Sequence, residues 1–250
     1  MKIPELQCVK KREVGRLIHG EILPKLADPR FAIVDQQTLT LLCDELVCQI
    51  VSERSGLGRS LYLDALICPI YVPHDIDALP GTFGGRSHQL APGTPMGFDM
   101  RTEEEIRGST GKMIEVIRDH LIPFLDLATS SRELLRLFET GSAPPVFPPG
   151  RDDWHGCFLM GFVAAYCREM GKGICYFDLC REEIGDHKAY WVAPRLEEMT
   201  HLESLLTDPI AVREHLATNA FRLRKLLKLP FSFDPTVYGL PTTWVPRNDT

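Results

Sequence analysis

The chain has no long apolar run, no surplus of positive charge and no catalytic signature of diagnostic spacing, and each absence removes a class of function. Its uninterrupted apolar stretches, such as Ala65 to Cys68, last only a few residues. A bilayer span needs roughly 20, so no transmembrane helix and no membrane partner are expected. The N-terminal MKIPELQCVKKREVGRL puts charges where a secretory signal needs its apolar region, which predicts a cytoplasmic protein. Net charge is −6, and the basic residues gather only in short groups, Lys10-Lys11-Arg12 and Arg222, Arg224, Lys225, Lys228. Neutralising a phosphate backbone takes a basic face, so nucleic acid is not an expected partner.

Cysteine is present, but in no pattern that carries chemistry. The residues stand at 8, 43, 48, 68, 157, 167, 175 and 180 with no CxxC pair, and the five-residue spacings of Cys43/Cys48 and Cys175/Cys180 match no zinc ligand set. Most sit among apolar neighbours, where a reduced thiol behaves as a small hydrophobe. No metal and no cofactor is expected.

The composition, 44% hydrophobic and 25% charged over 250 residues, suits one large or two smaller folded domains. A first helix is read over about 4–27 from Val14, Leu17, Ile18, Ile22 and Leu26, with Pro24 disturbing its last turn. Four strands follow, over 31–35, 38–43, 46–54 and 60–72, joined by connections short enough for an antiparallel meander. Ser55, Gly56 and Gly58 suit the hairpin turn between the last two. The segment 73–99, rich in proline and glycine, reads as a long loop. Thr102 with Glu105, and Ser130 with Glu133, have capping-box spacing at the starts of two helices, Pro123 bends or ends the first, and Gly141 caps the second. SAPPVFPPG then reads as a linker.

Beyond it the pattern is helical over about 152–170 (closed by Gly171), 173–184, 195–206 and 209–229, the last with Asp208 and Pro209 at its start. The expected fold is therefore α+β: an antiparallel four-stranded meander packed with helices, followed by an all-helical C-terminal region. The expected division is an α+β domain over 1–140, a linker over 141–150, a helical domain over 151–230 and an irregular tail over 231–250.

Several groups invite a chemical reading, and each has a plainer one. Asp64 interrupts a strand of apolar residues, so it needs a partner, with Arg54, Arg59 and Arg86 in reach, either as a structural ion pair or as part of a pocket. His74, Asp75, Asp77 and His88 supply imidazole and carboxylate to the 73–99 segment, enough for a divalent metal or for an ordinary polar loop. GLGRS at 56–60 lacks a phosphate-loop frame and precedes a strand, which favours a turn. His155 and Cys157 are two apart on a helix and do not share a face, which disfavours a Cys-His pair. Tyr71, Phe83, Phe98, Trp154, Tyr190, Trp191 and Trp244 are the aromatic candidates for an interface.

Gln49 to Ser55, the turn Gly56 to Gly58, LYLDALICPIYVP at 61–73, FGGR at 83–86 and IPFLD at 122–126 together resemble a group of bacterial proteins with no assigned function, whose N-terminal α+β domain carries a strand meander. The resemblance covers about half of the chain and carries no catalytic residue across. It implies an accessory or immunity-type binding protein of bacterial conflict systems.

The expectation is a non-enzymatic protein that binds another protein, such as a toxin or effector, and inhibits it by occlusion. The candidate binding residues are Arg54, Arg59, Asp64, Tyr71, His74, Asp75, Asp77, Phe83, Arg86 and His88. The alternatives are a metal-dependent hydrolase built on residues 74–88 and an adaptor whose helical half binds a peptide.

Overall fold

The computed structural model describes residues 11–33, 37–43, 45–55, 59–73, 82–142, 146–147, 154–190, 192–229 and 232–246. The fold is α+β, with an antiparallel sheet and a helical C-terminal region. Among the described residues no helix is long and apolar enough to cross a membrane.

The first helical segment is α1 (Lys11–Leu17), a π turn (Ile18–Ile22) and α2 (Leu23–Leu26), ending at Ala27 in the left-handed conformation. Pro24 does not end the helix. A proline inside a helix has no N–H and clashes with the carbonyl four residues earlier. The wide turn accommodates this by bonding the Leu23 N–H to Ile18 O, five residues back. The same solution recurs at Pro123, where the π turn Ile117–Leu121 joins α4 (Glu103–Val116) to α5 (Ile122–Leu125).

The strands β1 (Phe31–Ile33), β2 (Thr38–Cys43), β3 (Leu46–Arg54) and β4 (Ser60–Pro69) form the expected meander, although β4 stops three residues early in a turn at Ile70–Val72. The Gly56–Gly58 turn lies outside the described residues, but its flanks are fixed: the Ser55 hydroxyl accepts the N–H groups of Arg59 and Ser60 at 3.0 and 3.2 Å. The segment 73–99 is not a structureless loop. It contains β5 (Thr82–Arg86), α3 (Ser87–Leu90) and β6 (Phe98–Asp99), and Val146–Phe147 of the Pro-rich stretch add β7. The strand order is β1-β2-β3-β4-β5-β7, with β6 paired to the start of β4. Glycine, read as a breaker in the sequence, here permits pairing, because Gly84 adopts φ +147° against the β4 backbone.

The remaining helices are α6 (Ser131–Glu139), α7 (Trp154–Tyr166), α8 (Met170–Ile184), α9 (Val192–Leu205) and α10 (Pro209–Leu226), followed by a 3-10 turn (Pro235–Tyr238). Their starts follow local chemistry: Thr102, Ser130 and Asp208 accept backbone N–H groups as expected. One end differs. Gly171 lies inside α8, and the left-handed position after α7 belongs to Arg168, φ +66°, with the Arg168 N–H on Ala165 O and the Glu169 N–H on Ala164 O. That is a Schellman cap, a position that usually takes glycine.

The chain forms two compact units, one from Met1–Leu42, Cys48–Ile67 and Gly84–Leu127, the other from Cys43–Val47, Cys68–Phe83 and Ala128–Thr250. The first buries Val14, Ile18 and Ile22 of the N-terminal helix and Met113, Ile117 and Leu121 of the α4 segment, together with Leu61 and Leu63 of β4. In the second, α7 is buried on nearly every side, as its apolar sequence WHGCFLMGFVAAY requires. Its partner is α8, where Phe177 lies edge-on to Phe162 at 5.3 Å.

Candidate functional site

The expected residues divide between the two units. In the first, β4 carries Asp64 into the interior, where it is 1% exposed, and the end of β5 brings up Arg86. The Arg86 Nε lies 3.6 Å from Asp64 Oδ1, its Nη2 lies 3.5 Å from Glu53 Oε2, and the guanidinium covers the Tyr62 ring at 4.3 Å. Of the three arginines in reach by sequence, Arg86 is the one that pairs with Asp64 among the described residues. Arg54 is exposed, and the buried Nε of Arg59 has no hydrogen-bond partner among the described residues. His88, half-buried in α3, likewise leaves Nδ1 unbonded. Tyr71 and Phe83 are fully buried in the second unit, while His74, Asp75 and Asp77 lie outside the described residues.

Burial, and then the negative Glu53, push the Asp64 carboxyl up to about 6 against the pull of Arg86. An acid held above its unfolded value of 3.8 keeps its proton in the native state after the unfolded chain has released it. Stability is therefore greatest below that value and is lost as pH rises through about 6. Asp64→Asn removes the titration. It is expected to match the wild type near pH 4 and to exceed it by about 2 kcal/mol at neutral pH. Urea unfolding at the two pH values checks this, and equal stabilities at neutral pH would contradict it.

The second unit holds a cleft of about 660 Å³ built from several elements. Glu45, in the turn before β3, lines it too: its Oε1 accepts the Ser131 N–H at 2.8 Å at the start of α6. Tyr71 supports the same corner, donating its hydroxyl to Ser131 Oγ at 2.7 Å and stacking on Tyr166 at 4.5 Å. The Tyr166 hydroxyl donates to Val237 O at 3.1 Å, and the Tyr238 ring stands edge-on to Tyr166 at 5.6 Å. Tyr238 is 5% exposed, and its hydroxyl has no hydrogen-bond partner among the described residues. Burial raises that phenol well above its ordinary range, so it stays a donor at neutral pH.

The other wall is cationic. Arg132 donates to Cys167 O at 3.2 Å and pairs with Glu169 at 3.3 Å. Arg168, from the Schellman position, and Arg213, from the second turn of α10, converge over Gly239. A Cβ there would lie 3.2 Å from Arg213 Nη1 and 3.8 Å from Arg168 Nη2, so glycine leaves the two guanidiniums their space. Among the described residues neither has an ion-pair or hydrogen-bond partner. Burial pushes the Cys167 thiol up to about 11, which keeps it protonated and unreactive at neutral pH. Val212 and Leu216 of α10 supply the apolar part of the lining.

A second cleft runs beside α9 and α10, where the rings of His201 and His215 meet at 4.8 Å. Burial, with His201 and Arg222 adding to it, pushes His215 down to about 4, so it is neutral at pH 7. Glu197, Glu198 and Glu214 share that lining with Arg222, so opposite charges already face each other there. Among the described residues no group of three or more His, Cys, Asp or Glu side chains is placed to hold a metal ion.

Sequence reasoning missed Arg132, Arg168, Arg213 and Tyr238. Tyr238 falls in the segment read as tail, and Arg168 in one read as continuous helix. No protein family, curated protein or solved structure compared with the chain matches it.

Proposed function

We propose that this chain is a recognition protein without chemistry of its own, and that its helical unit takes an anionic group displayed by a partner protein. The observation that supports the reading is the pair Arg168 and Arg213, two guanidiniums converging over Gly239 with no anion of their own among the described residues. Guanidinium groups bind carboxylates and phosphates through paired N–H donors, and such charge-assisted bonds are about twice as strong as neutral ones. Tyr238 lines the same cleft, and its buried hydroxyl has no hydrogen-bond partner among the described residues, a desolvation cost of about 1–3 kcal/mol that an acceptor reaching it would remove. The groups nearest to a nucleophile, Cys167 and Tyr238, both stay protonated at neutral pH, which favours binding over catalysis.

Of the readings made from sequence, this is the adaptor acting through the helical half. Inhibition by occlusion, expected through the candidate residues from Arg54 to His88, is a separate reading that does not draw on this pair of arginines. The hydrolase reading drew on His74, Asp75, Asp77 and His88, of which His88 alone lies within the described residues.

Calorimetric titration with a capped peptide carrying glutamate between leucines, and with its phosphoserine counterpart, tests the reading. At least one should bind the wild type, and Arg168→Gln or Arg213→Gln should weaken that binding by about tenfold. Binding of neither peptide, or binding indifferent to both substitutions, would overturn it.

A further inference from the structure

We infer that the anion taken by this cleft is a phosphate monoester on an apolar carrier, rather than a carboxylate; the inference rests on the function proposed above. Charge comes first. Arg168 and Arg213 are both without an anionic partner among the described residues, so the cleft offers two positive charges. A carboxylate would neutralise one of them, whereas a phosphate monoester carries about −1.5 to −2 at pH 7. The cleft's own carboxylate, Glu45, accepts the Ser131 N–H at the start of α6 and pairs with neither guanidinium among the described residues.

The hydrogen-bonding groups point the same way. The polar groups without a partner among the described residues, the two guanidiniums and the buried Tyr238 hydroxyl, come from three separate places in the chain and all serve as donors. Phosphate presents three acceptor oxygens where a carboxylate presents two. The Tyr166 hydroxyl, the other phenol in the lining, already donates to Val237 O.

Size and lining argue for a carrier. A cleft of about 660 Å³ exceeds the needs of a bare anion and lies within the range of sites for small organic groups. Its apolar wall, Val212 and Leu216 with Met170, offers burial to the body that bears the phosphate. A phosphorylated side chain on a partner protein has this chemistry.

The test uses the full chain and three small probes: phenyl phosphate, benzoate and inorganic phosphate, each titrated calorimetrically. Phenyl phosphate should bind at least tenfold more tightly than either of the others. Arg168→Gln and Arg213→Gln should each reduce that affinity tenfold or more, and Tyr238→Phe several-fold. Arg168 is exposed, so its variant should melt with the wild type and report binding alone. Benzoate binding as tightly as phenyl phosphate would overturn the phosphate assignment and leave the anion cleft standing. Inorganic phosphate doing so would overturn the carrier. No binding of any probe would overturn the phosphate assignment, and the peptide titration then decides the parent reading separately. Phenyl phosphate binding unaffected by the three substitutions would place the anion elsewhere.

Discussion

Gly84→Ala should cost about 4 kcal/mol, most of the stability of a domain at the low end of the usual range of about 5–15 kcal/mol. Gly84 sits in β5 at φ +147°, a conformation that side chains with a Cβ rarely adopt. A methyl there would overlap the Ala65 carbonyl oxygen and come within 3.0 Å of Leu66 Cα. Both are backbone atoms of β4, fixed at hydrogen-bonding distance by the sheet, so no side-chain rotation relieves the clash. Strained backbone contributes about 1–3 kcal/mol, and overpacking a similar amount. Separating β5 from β4 would also draw Arg86 away from Asp64 and leave a buried carboxylate without its counter-charge. Gly85 is the internal control. A Cβ at that position meets the movable ends of Gln89 and Leu90 at 3.2 and 3.5 Å, so Gly85→Ala should shift stability by less than about 1 kcal/mol. Denaturant midpoints of the two variants check the contrast, and similar losses would remove close strand approach as the reason for Gly84.

The second large effect lies at the α7–α8 crossing. A methyl on Gly161 would overlap the Phe177 ring, with Phe177 Cζ 2.7 Å away, and Gly173 faces the same contact with a virtual Cβ 3.1 Å from Gly161 O. Phe177 cannot swing aside: it is 1% exposed and braced by Phe162. Alanine is a better helix former than glycine by about 1 kcal/mol, but that gain is smaller than the steric cost. Gly161→Ala should therefore destabilise by about 3 kcal/mol. Adding Phe177→Leu should recover much of the loss, although Phe177→Leu alone destabilises. A strongly non-additive double-mutant cycle is the expected signature, and simple addition of the two losses would show that the methyl is accommodated elsewhere.

Legibility in the sequence followed the range of the interaction. Helix starts are decided within three or four residues, so Thr102, Ser130 and Asp208 could be placed from their own surroundings. Asp64 was legible for a related reason. The apolar residues around it in the strand assigned it to an interior, and an interior carboxylate demands a cation, although only the pairing of β5 with β4 selects Arg86 over its competitors. The prolines misled because the local rule names two outcomes, bend or stop, and the chain uses a third, a π turn before Pro24 and before Pro123. TFGGR misled because glycine marks both a turn and a close approach of strands, and the difference depends on a neighbour in β4. The cleft of the second unit was the least legible. It gathers Glu45, Arg168, Arg213 and Tyr238 from four distant places in the chain, and no periodicity or spacing relates them.

The way the chain is shared between its two units bears on the order in which they form during synthesis. All three segments of the first unit have been made once Leu127 is added. The second must wait: Cys43–Val47 and Cys68–Phe83 are made before the first unit is complete, yet their own unit is completed by Ala128–Thr250. Glu45 and Tyr71 thus emerge from the ribosome well before Ser131, whose N–H and hydroxyl they bind. Closing so long a loop costs little more free energy than closing a shorter one, since the entropy grows only with the logarithm of length. The delay is kinetic, and until it ends the apolar Cys68–Val72 stretch is without the helices that complete its unit.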